Sequence, residues 1–180
     1  LSMVYLHQSS YDKALPLTER SLEYFKRSQG EESQVTLNSM SSLAIILDSM
    51  QRPQDALPVL EECVRLKKRV LGEQHPDTLM SLNSLALVHL NLRQYQLSVD
   101  LFAEVLRAKR VKLGSKHAST LKGIGNLAHL YSQLGAYEHA TVLFEEALEG
   151  HYSVLGKEHK DTVLCQHNMC CHYLLYGYFE

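Results

Sequence analysis

The chain has 180 residues, of which 45% are hydrophobic and 21% charged, a composition typical of a globular protein rather than a disordered or membrane-embedded one. Its net charge of −2 is too near neutral to favour a surface for nucleic acid or anionic lipid. The longest apolar run, residues 43–47, is far shorter than the roughly 20 residues that a membrane helix needs.

The chain repeats itself at an offset of 42 residues, which is a stronger signal than any single motif. Glycine, threonine and histidine return at fixed positions, and a Leu-Ala pair returns in each unit. So many positions kept over three or four copies indicate a repeat protein. The positions in register are Gly30, Gly72, Gly114 and Gly156; Thr36, Thr78, Thr120 and Thr162; His75, His117 and His159; and residues 43–44, 85–86 and 127–128.

Each complete unit is predicted to hold two helices. In the third of them, apolar residues follow steps of three and four on both sides of Gly135, which interrupts the pattern. No segment alternates with a period of two, so the sequence predicts an all-α array. In chain order the units are a partial repeat at 1–30, full repeats at 31–72, 73–114 and 115–156, and the first helix of a further repeat at 157–180.

The chain begins inside a predicted helix and ends after another. An array of this kind needs a polar cap on its last helix, whereas the final residues are rich in leucine, tyrosine and phenylalanine. We therefore expect one array that is a fragment of a longer one.

Small residues recur where neighbouring helices must approach closely. A side chain much larger than a methyl group would push the packed helices apart there. These residues are Ala44, Ala86, Ala128 and Cys170 in the first helices, and Ala14, Ala56, Ser98 and Ala140 in the second helices.

These patterns resemble the tetratricopeptide repeat (TPR). The 42-residue period and the loop phrases LGEQHPDT, LGSKHAST and LGKEHKDT resemble the kinesin-light-chain-like branch of that family. The resemblance implies a right-handed superhelical solenoid of antiparallel helix pairs, whose first helices line a concave groove. Two units depart from the pattern, because Gln51 and Arg93 stand where it prefers glycine. The best match comprises Leu127, Ala128, Tyr131, Gly135, Tyr137, Ala140, Phe144 and Ala147.

The residues predicted to face the groove are mostly uncharged and polar, with apolar residues between them; only Asp48 and Lys122 carry a formal charge. Amide and hydroxyl groups pair with the backbone of an extended peptide, and apolar side chains offer pockets for its side chains. The predicted peptide-binding residues are Asn38, Ser41, Asn83, Ser84, Leu87, Leu90, Asn91, Lys122, Asn126, His129, Gln133, His167 and Asn168.

Part of this set resembles half of the clamp by which some TPR domains hold a C-terminal carboxylate. Lys122 and Asn126 lie one turn apart, and Asn168 has the phase of Asn126 one repeat later. Ser84 replaces asparagine at that phase, and no arginine or second lysine joins the group. A full clamp is therefore not predicted.

The sequence predicts no enzyme and no cofactor, because it contains no phosphate-binding loop, dinucleotide fingerprint, hydrolase elbow or HExxH motif. A cysteine and histidine cluster at residues 165–172 places His167 and Cys171 four residues apart. A structural zinc site takes four ligands from more than one element, so packing is the favoured interpretation. The periodic histidines at 75, 117 and 159 are likewise assigned to loop packing rather than to metal.

Basic residues cluster at 65–69 and 107–110, near the ends of two second helices. Cations there complement the helix dipole, and this interpretation is favoured over phosphate binding. A basic ridge that contacts an acidic partner stays an alternative.

The functional prediction is a non-catalytic module that binds an extended peptide or a partner helix in its groove, with a scaffold or adaptor role similar to that of kinesin light chain. The alternative is a structural or regulatory arm of a larger signalling ATPase or enzyme, packed against its own chain. A third option is self-association through the exposed terminal helices. We expect a cytoplasmic location, because no signal peptide opens the chain and the four cysteines form no disulfide framework.

Overall fold

The computed structural model describes residues 11–176. Over that range it contains helices joined by short turns and no strand. None of these helices is long and apolar enough to cross a membrane. The helices are α1 Tyr11–Gln29, α2 Gln34–Ser49, α3 Pro53–Leu71, α4 Pro76–Asn91, α5 Tyr95–Leu113, α6 Ala118–Gln133, α7 Tyr137–Leu155 and α8 Lys160–Tyr176.

The chain divides into two compact units, residues 1–98 and 99–180. In the first unit α1 packs on α2, α2 on α3 and α3 on α4, while α2 also contacts α4. In the second unit α6 packs on α7 and α7 on α8, and α6 also contacts α8. Packing between neighbouring helices of this kind is typical of helical repeat proteins, so the predicted all-α repeat array is confirmed.

The small residues predicted at close helix contacts are buried, with one exception. Ala44, Ala56, Ala86 and Ala128 have no exposed surface, whereas Cys170 is exposed. The prediction for Cys170 was therefore wrong. In the full repeats a second helix of the same repeat covers this position, and the described residues contain no helix after α8.

The turn between the two helices of a repeat requires a left-handed backbone. Gly135 has φ of 76°, and Gln51 and Arg93 both have φ of 60° at the same place in their repeats. A side chain makes this conformation less favourable by roughly 1–2 kcal/mol. This cost explains why the repeat pattern prefers glycine at the turn. Gln51 and Arg93 adopt the left-handed conformation in spite of the cost.

The periodic histidines cap the first helices. His75 Nδ1 accepts a hydrogen bond from the amide of Asp77 at 3.2 Å, and His117 Nδ1 accepts one from the amide of Ser119 at 3.1 Å. The first amides of a helix lack partners within it, so each imidazole satisfies one of them. The loop-packing prediction thus acquires a specific role, namely the N-cap.

Three of the four periodic threonines fasten the same loops, whereas the buried Thr120 Oγ1 has no hydrogen-bond partner among the described residues. The hydroxyl groups of Thr36, Thr78 and Thr162 donate to the carbonyl oxygens of Gly30, Gly72 and Gly156, at 2.8, 2.9 and 2.8 Å respectively. These bonds hold α2, α4 and α8 against the end of the preceding second helix. The recurrence of glycine and threonine at 42 residues therefore follows from one repeated loop.

Candidate peptide-binding face

The predicted face in the first unit lies on α2 and α4. Asn38, Leu87 and Asn91 are exposed, and the remaining four members are half-buried. Leu87 keeps 43% of its surface exposed. The half-buried members are Ser41, Asn83, Ser84 and Leu90.

Hydrogen bonds within the unit already occupy two of these amides. Gln34 donates to Asn38 Oδ1 at 3.2 Å, and Asn91 Nδ2 donates to Asp48 Oδ1 at 2.8 Å. Asn83, in contrast, has no side-chain hydrogen bond to another described residue. Among the predicted amides of this unit, Asn83 is therefore the one whose donors and acceptor are available to a ligand.

Ser41 is also engaged, by a lysine that the sequence analysis did not single out. Lys67 extends from α3 and is only 3% exposed. Its ammonium group donates to Ser41 Oγ at 3.0 Å and to Ser81 Oγ at 2.9 Å. Ser41 thus belongs to a buried network beneath the predicted face.

In the second unit, three of the predicted residues come together around one small cavity. Lys122 and Asn126 on α6 and Asn168 on α8 line a cavity of about 50 Å³. Its other walls include the imidazole of His151 and the carboxylate of Asp161. The predicted residues His129, Gln133 and His167 are exposed but lie outside this cavity.

His151 forms the buried wall of that cavity. It is 4% exposed, and its Nδ1 has no hydrogen-bond partner among the described residues. Burial lowers the pKa of His151, Asp161 opposes this shift and His159 reinforces it. A cavity of this size has room for an ordered water molecule, which would satisfy the free nitrogen.

Lys67, Lys109 and His151 occupy the same phase of successive second helices, 42 residues apart. Burial lowers the pKa of Lys109, and the positive charge of nearby Lys122 lowers it further. The basic residue at the same phase of α3, α5 and α7 was the sequence signal for this position beneath the face. It was missed because lysines near a helix end were assigned to the helix dipole.

The basic runs do not form a free phosphate-binding ridge. Arg65 pairs with Glu62 at 2.6 Å, Arg69 pairs with Glu32, and Lys67 is buried. In the second run, Arg110 Nη2 contacts both oxygens of Glu146 at 2.6 Å. Much of the positive charge is therefore balanced within the protein.

The cysteine and histidine cluster of α8 is divided among different surroundings. His167 and Cys171 lie 3.7 Å apart at the surface, whereas Cys165 is buried. His172 is buried and bonded to the hydroxyl groups of Ser132 and Thr141, at 2.9 and 2.8 Å. Residues 11–176 contain no group of three or more histidine, cysteine or acidic side chains arranged to hold a metal ion.

Comparison with known proteins gives a consistent result. A family model described as tetratricopeptide repeat matches residues 1–69, 50–110 and 77–153. A search of curated proteins found no significant match.

Solved structures also share the fold. A protein of Podosopora anserina assigned as a kinesin light chain, with nearly identical TPR-like repeats, is 26% identical with a TM-score of 0.87; the match covers 98% of this chain and 83% of that one. Its single-substitution variant gives the same identity and coverage with a TM-score of 0.88. BtubC (BKLC) from P. vanneervenii is 20% identical with a TM-score of 0.84, over 98% of this chain and 70% of that one.

Proposed function

Because the chain belongs to the tetratricopeptide repeat family, whose arrays act as protein-interaction scaffolds, we propose that it binds an extended peptide or a partner helix along its first helices. It does so without catalysis, as an adaptor similar to kinesin light chain. The similarity to the Podosopora anserina protein supports the adaptor role, and the lack of catalytic motifs in the sequence supports the non-catalytic one.

The observation that carries this proposal is the set of amides left without partners on the first helices. Asn126 and Asn168 line one cavity together with Lys122, and Asn83 is available in the other unit. A primary amide offers both donors and an acceptor, so it can pair with a peptide bond in either direction. Exposed apolar side chains such as Leu87 then provide contacts for the side chains of the ligand.

The electrostatic environment in the second unit favours an uncharged or acidic ligand there. Lys122 is exposed, and its charge already acts on Lys109. Two cations close together attract an anionic group more strongly than either does alone. A basic peptide is therefore disfavoured at this position.

The test begins with peptides selected from a phage-displayed library on the wild-type chain. Their affinities are then measured by fluorescence polarisation for the double variant Asn83→Ala/Asn126→Ala. Losing two hydrogen-bonding amides is expected to weaken binding by roughly tenfold or more. Melting temperatures of both proteins show whether the variant remains folded.

The matched control is Gln54→Ala/Gln166→Ala, which removes two exposed amides outside the predicted set. We expect this variant to bind the selected peptides with wild-type affinity. Equal affinity of all three proteins would contradict the proposed face. Failure to select any peptide would favour the alternative, in which the array packs against its own parent chain.

A further inference from the structure

The second unit contains a larger cavity that shares no residue with the predicted peptide-binding set. It has a volume of about 460 Å³ and lies among α5, α6 and α7. Its floor is aliphatic, with Leu106, Leu127 and Leu143, and Val142 at its edge is 64% exposed. This volume falls within the range of roughly 300–1,000 Å³ found for small-molecule sites.

One of the residues lining the cavity is smaller than its equivalents in the other repeats. Ala103 lines the cavity, whereas glutamate occupies the same phase at Glu19, Glu61 and Glu145. A glutamate side chain at residue 103 would extend three heavy atoms beyond the alanine methyl group. A glutamate at this position would therefore leave less open space beside the helix.

The same repeat also leaves a guanidinium group unpaired. Arg107 lines the cavity and is exposed, and it makes no ion pair with the described residues. At the same phase in the first unit, Arg65 is held by both oxygens of Glu62, at 2.7 and 2.6 Å. The released arginine is thus available to an anion, which it can bind through two parallel N–H donors.

The other charged residues of the lining are Arg110 and Glu138. Arg110 is bound by both oxygens of Glu146, and Glu138 lies in the first turn of α7, where the helix dipole favours a negative charge. Tyr131 and His139 form an aromatic wall, with ring centroids 5.5 Å apart. The cavity thus combines an apolar floor, an aromatic wall, the unpaired cation of Arg107 and the carboxylate of Glu138.

We propose that this cavity binds a small amphipathic carboxylate, with its apolar body on the leucine floor and its carboxylate on Arg107. The aliphatic lining and the exposed Val142 would contact the apolar body of the ligand. The negative charge of the ligand complements the unpaired guanidinium group of Arg107. This site is independent of the peptide-binding proposal, because the two share no residue.

The experiment titrates the full chain, labelled with ¹⁵N, with decanoate and separately with 1-decanol, which has the same carbon chain without the charge. Decanoate is expected to shift the amide signals of residues around Ala103 and Val142 in a saturable manner. Ala103→Glu, which restores the glutamate of the other repeats, is expected to weaken the binding of both compounds by about tenfold or more. Ala103→Leu fills the same space without a charge and is expected to have the same effect.

Two further variants separate charge recognition from nonspecific binding. Arg107→Gln is expected to weaken decanoate binding by about tenfold and to leave 1-decanol unchanged. Val111→Gln changes the same helix at a residue that is 78% exposed and outside the cavity, and it adds no charge beside Arg107, so it should bind both compounds as the wild type does. Asn83→Ala/Asn126→Ala should likewise bind decanoate normally.

Three results would overturn the proposal. The first is the absence of saturable shifts with decanoate. The second is wild-type binding by both variants of Ala103 while they remain folded. The third is an equal loss of decanoate and 1-decanol affinity in Arg107→Gln, which would exclude recognition of the carboxylate.

Discussion

Lys67 places an ammonium group in the interior of the first unit with hydroxyl groups as its partners. Its two hydrogen bonds go to Ser41 and Ser81, and it makes no ion pair with the described residues. Transfer of a charge from water into such a site is costly, and hydroxyl groups offset only part of that cost.

We predict that Lys67→Met increases the free energy of unfolding by about 1 kcal/mol. Methionine keeps most of the side-chain volume and removes the buried charge, and the serine hydroxyl groups can still donate to nearby oxygens such as that of Leu37. Urea denaturation measures the change. Ser81→Ala is the comparison, because it removes an acceptor from the ammonium group and should lower the same free energy by about 1–3 kcal/mol. A less stable Lys67→Met variant would show that the ammonium group contributes to stability.

The roles of single residues were only partly predictable from the sequence. The 42-residue spacing of His75, His117 and His159 was visible, but their use as N-caps depends on the loop conformation that aims Nδ1 at an amide. Lys67 and His151 share a phase, yet their burial follows from the packing of three helices. Patterns along one helix carry no information about that packing.

At the scale of helices, the apolar spacing predicted the elements well. The interruption expected at Gly135 agrees with the turn between α6, which ends at Gln133, and α7, which begins at Tyr137. Periodic burial determines these boundaries, and it is encoded locally. The left-handed turns at Gln51 and Arg93 were not predicted, because the contacts of the helix pair impose them on residues that do not prefer them.

We predict that Ala128→Leu lowers the free energy of unfolding by roughly 1–3 kcal/mol, because Ala128 is fully buried on α6 and a leucine would overpack the helix contact. A thermal melt followed by circular dichroism measures the effect. His129→Leu, at the exposed neighbouring residue, is the control and should melt near the wild-type temperature. An unchanged melting temperature for Ala128→Leu would contradict the assigned helix register.

At the scale of the whole molecule, two buried histidines make stability depend on pH. Burial lowers the pKa of His151 and of His172 from the ordinary value near 6.5. His172 Nε2–H donates to Thr141, whose own hydroxyl donates to Tyr137, and its Nδ1 accepts from Ser132. Because burial disfavours the charged imidazolium, the fold favours the neutral ring.

The sign of the effect follows from proton binding. The unfolded chain takes up protons at the ordinary histidine pKa, whereas the folded chain takes them up only at lower pH. The stability contributed by the neutral rings is therefore complete above about pH 6.5, and it is lost as the pH falls towards the pKa of the folded state. Each histidine contributes at most about 1.4 kcal/mol per pH unit in that window. Urea denaturation between pH 7.5 and 5 should show this decrease, and His151→Gln should reduce its slope. Identical slopes in the two proteins would contradict the assignment to His151.

The sequence predicted the repeat array, but it did not indicate which residues of the predicted face keep their hydrogen-bonding groups available. Asn38 and Asn91 are bonded to neighbours, whereas Lys122, Asn126 and Asn168 meet at one cavity. The cavity beside Ala103 was not predicted, because a single small residue opens space only when the walls contributed by two other helices are known.

The packing of each helix against its nearest neighbours also bears on how the chain reaches its native state. Within each unit, the helices that pack together are adjacent along the chain or separated by one helix. Forming such contacts closes only short loops, and short loops have a small entropic cost of closure. Each unit therefore has the low contact order that favours rapid folding, and its helix pairs can form without waiting for distant parts of the chain.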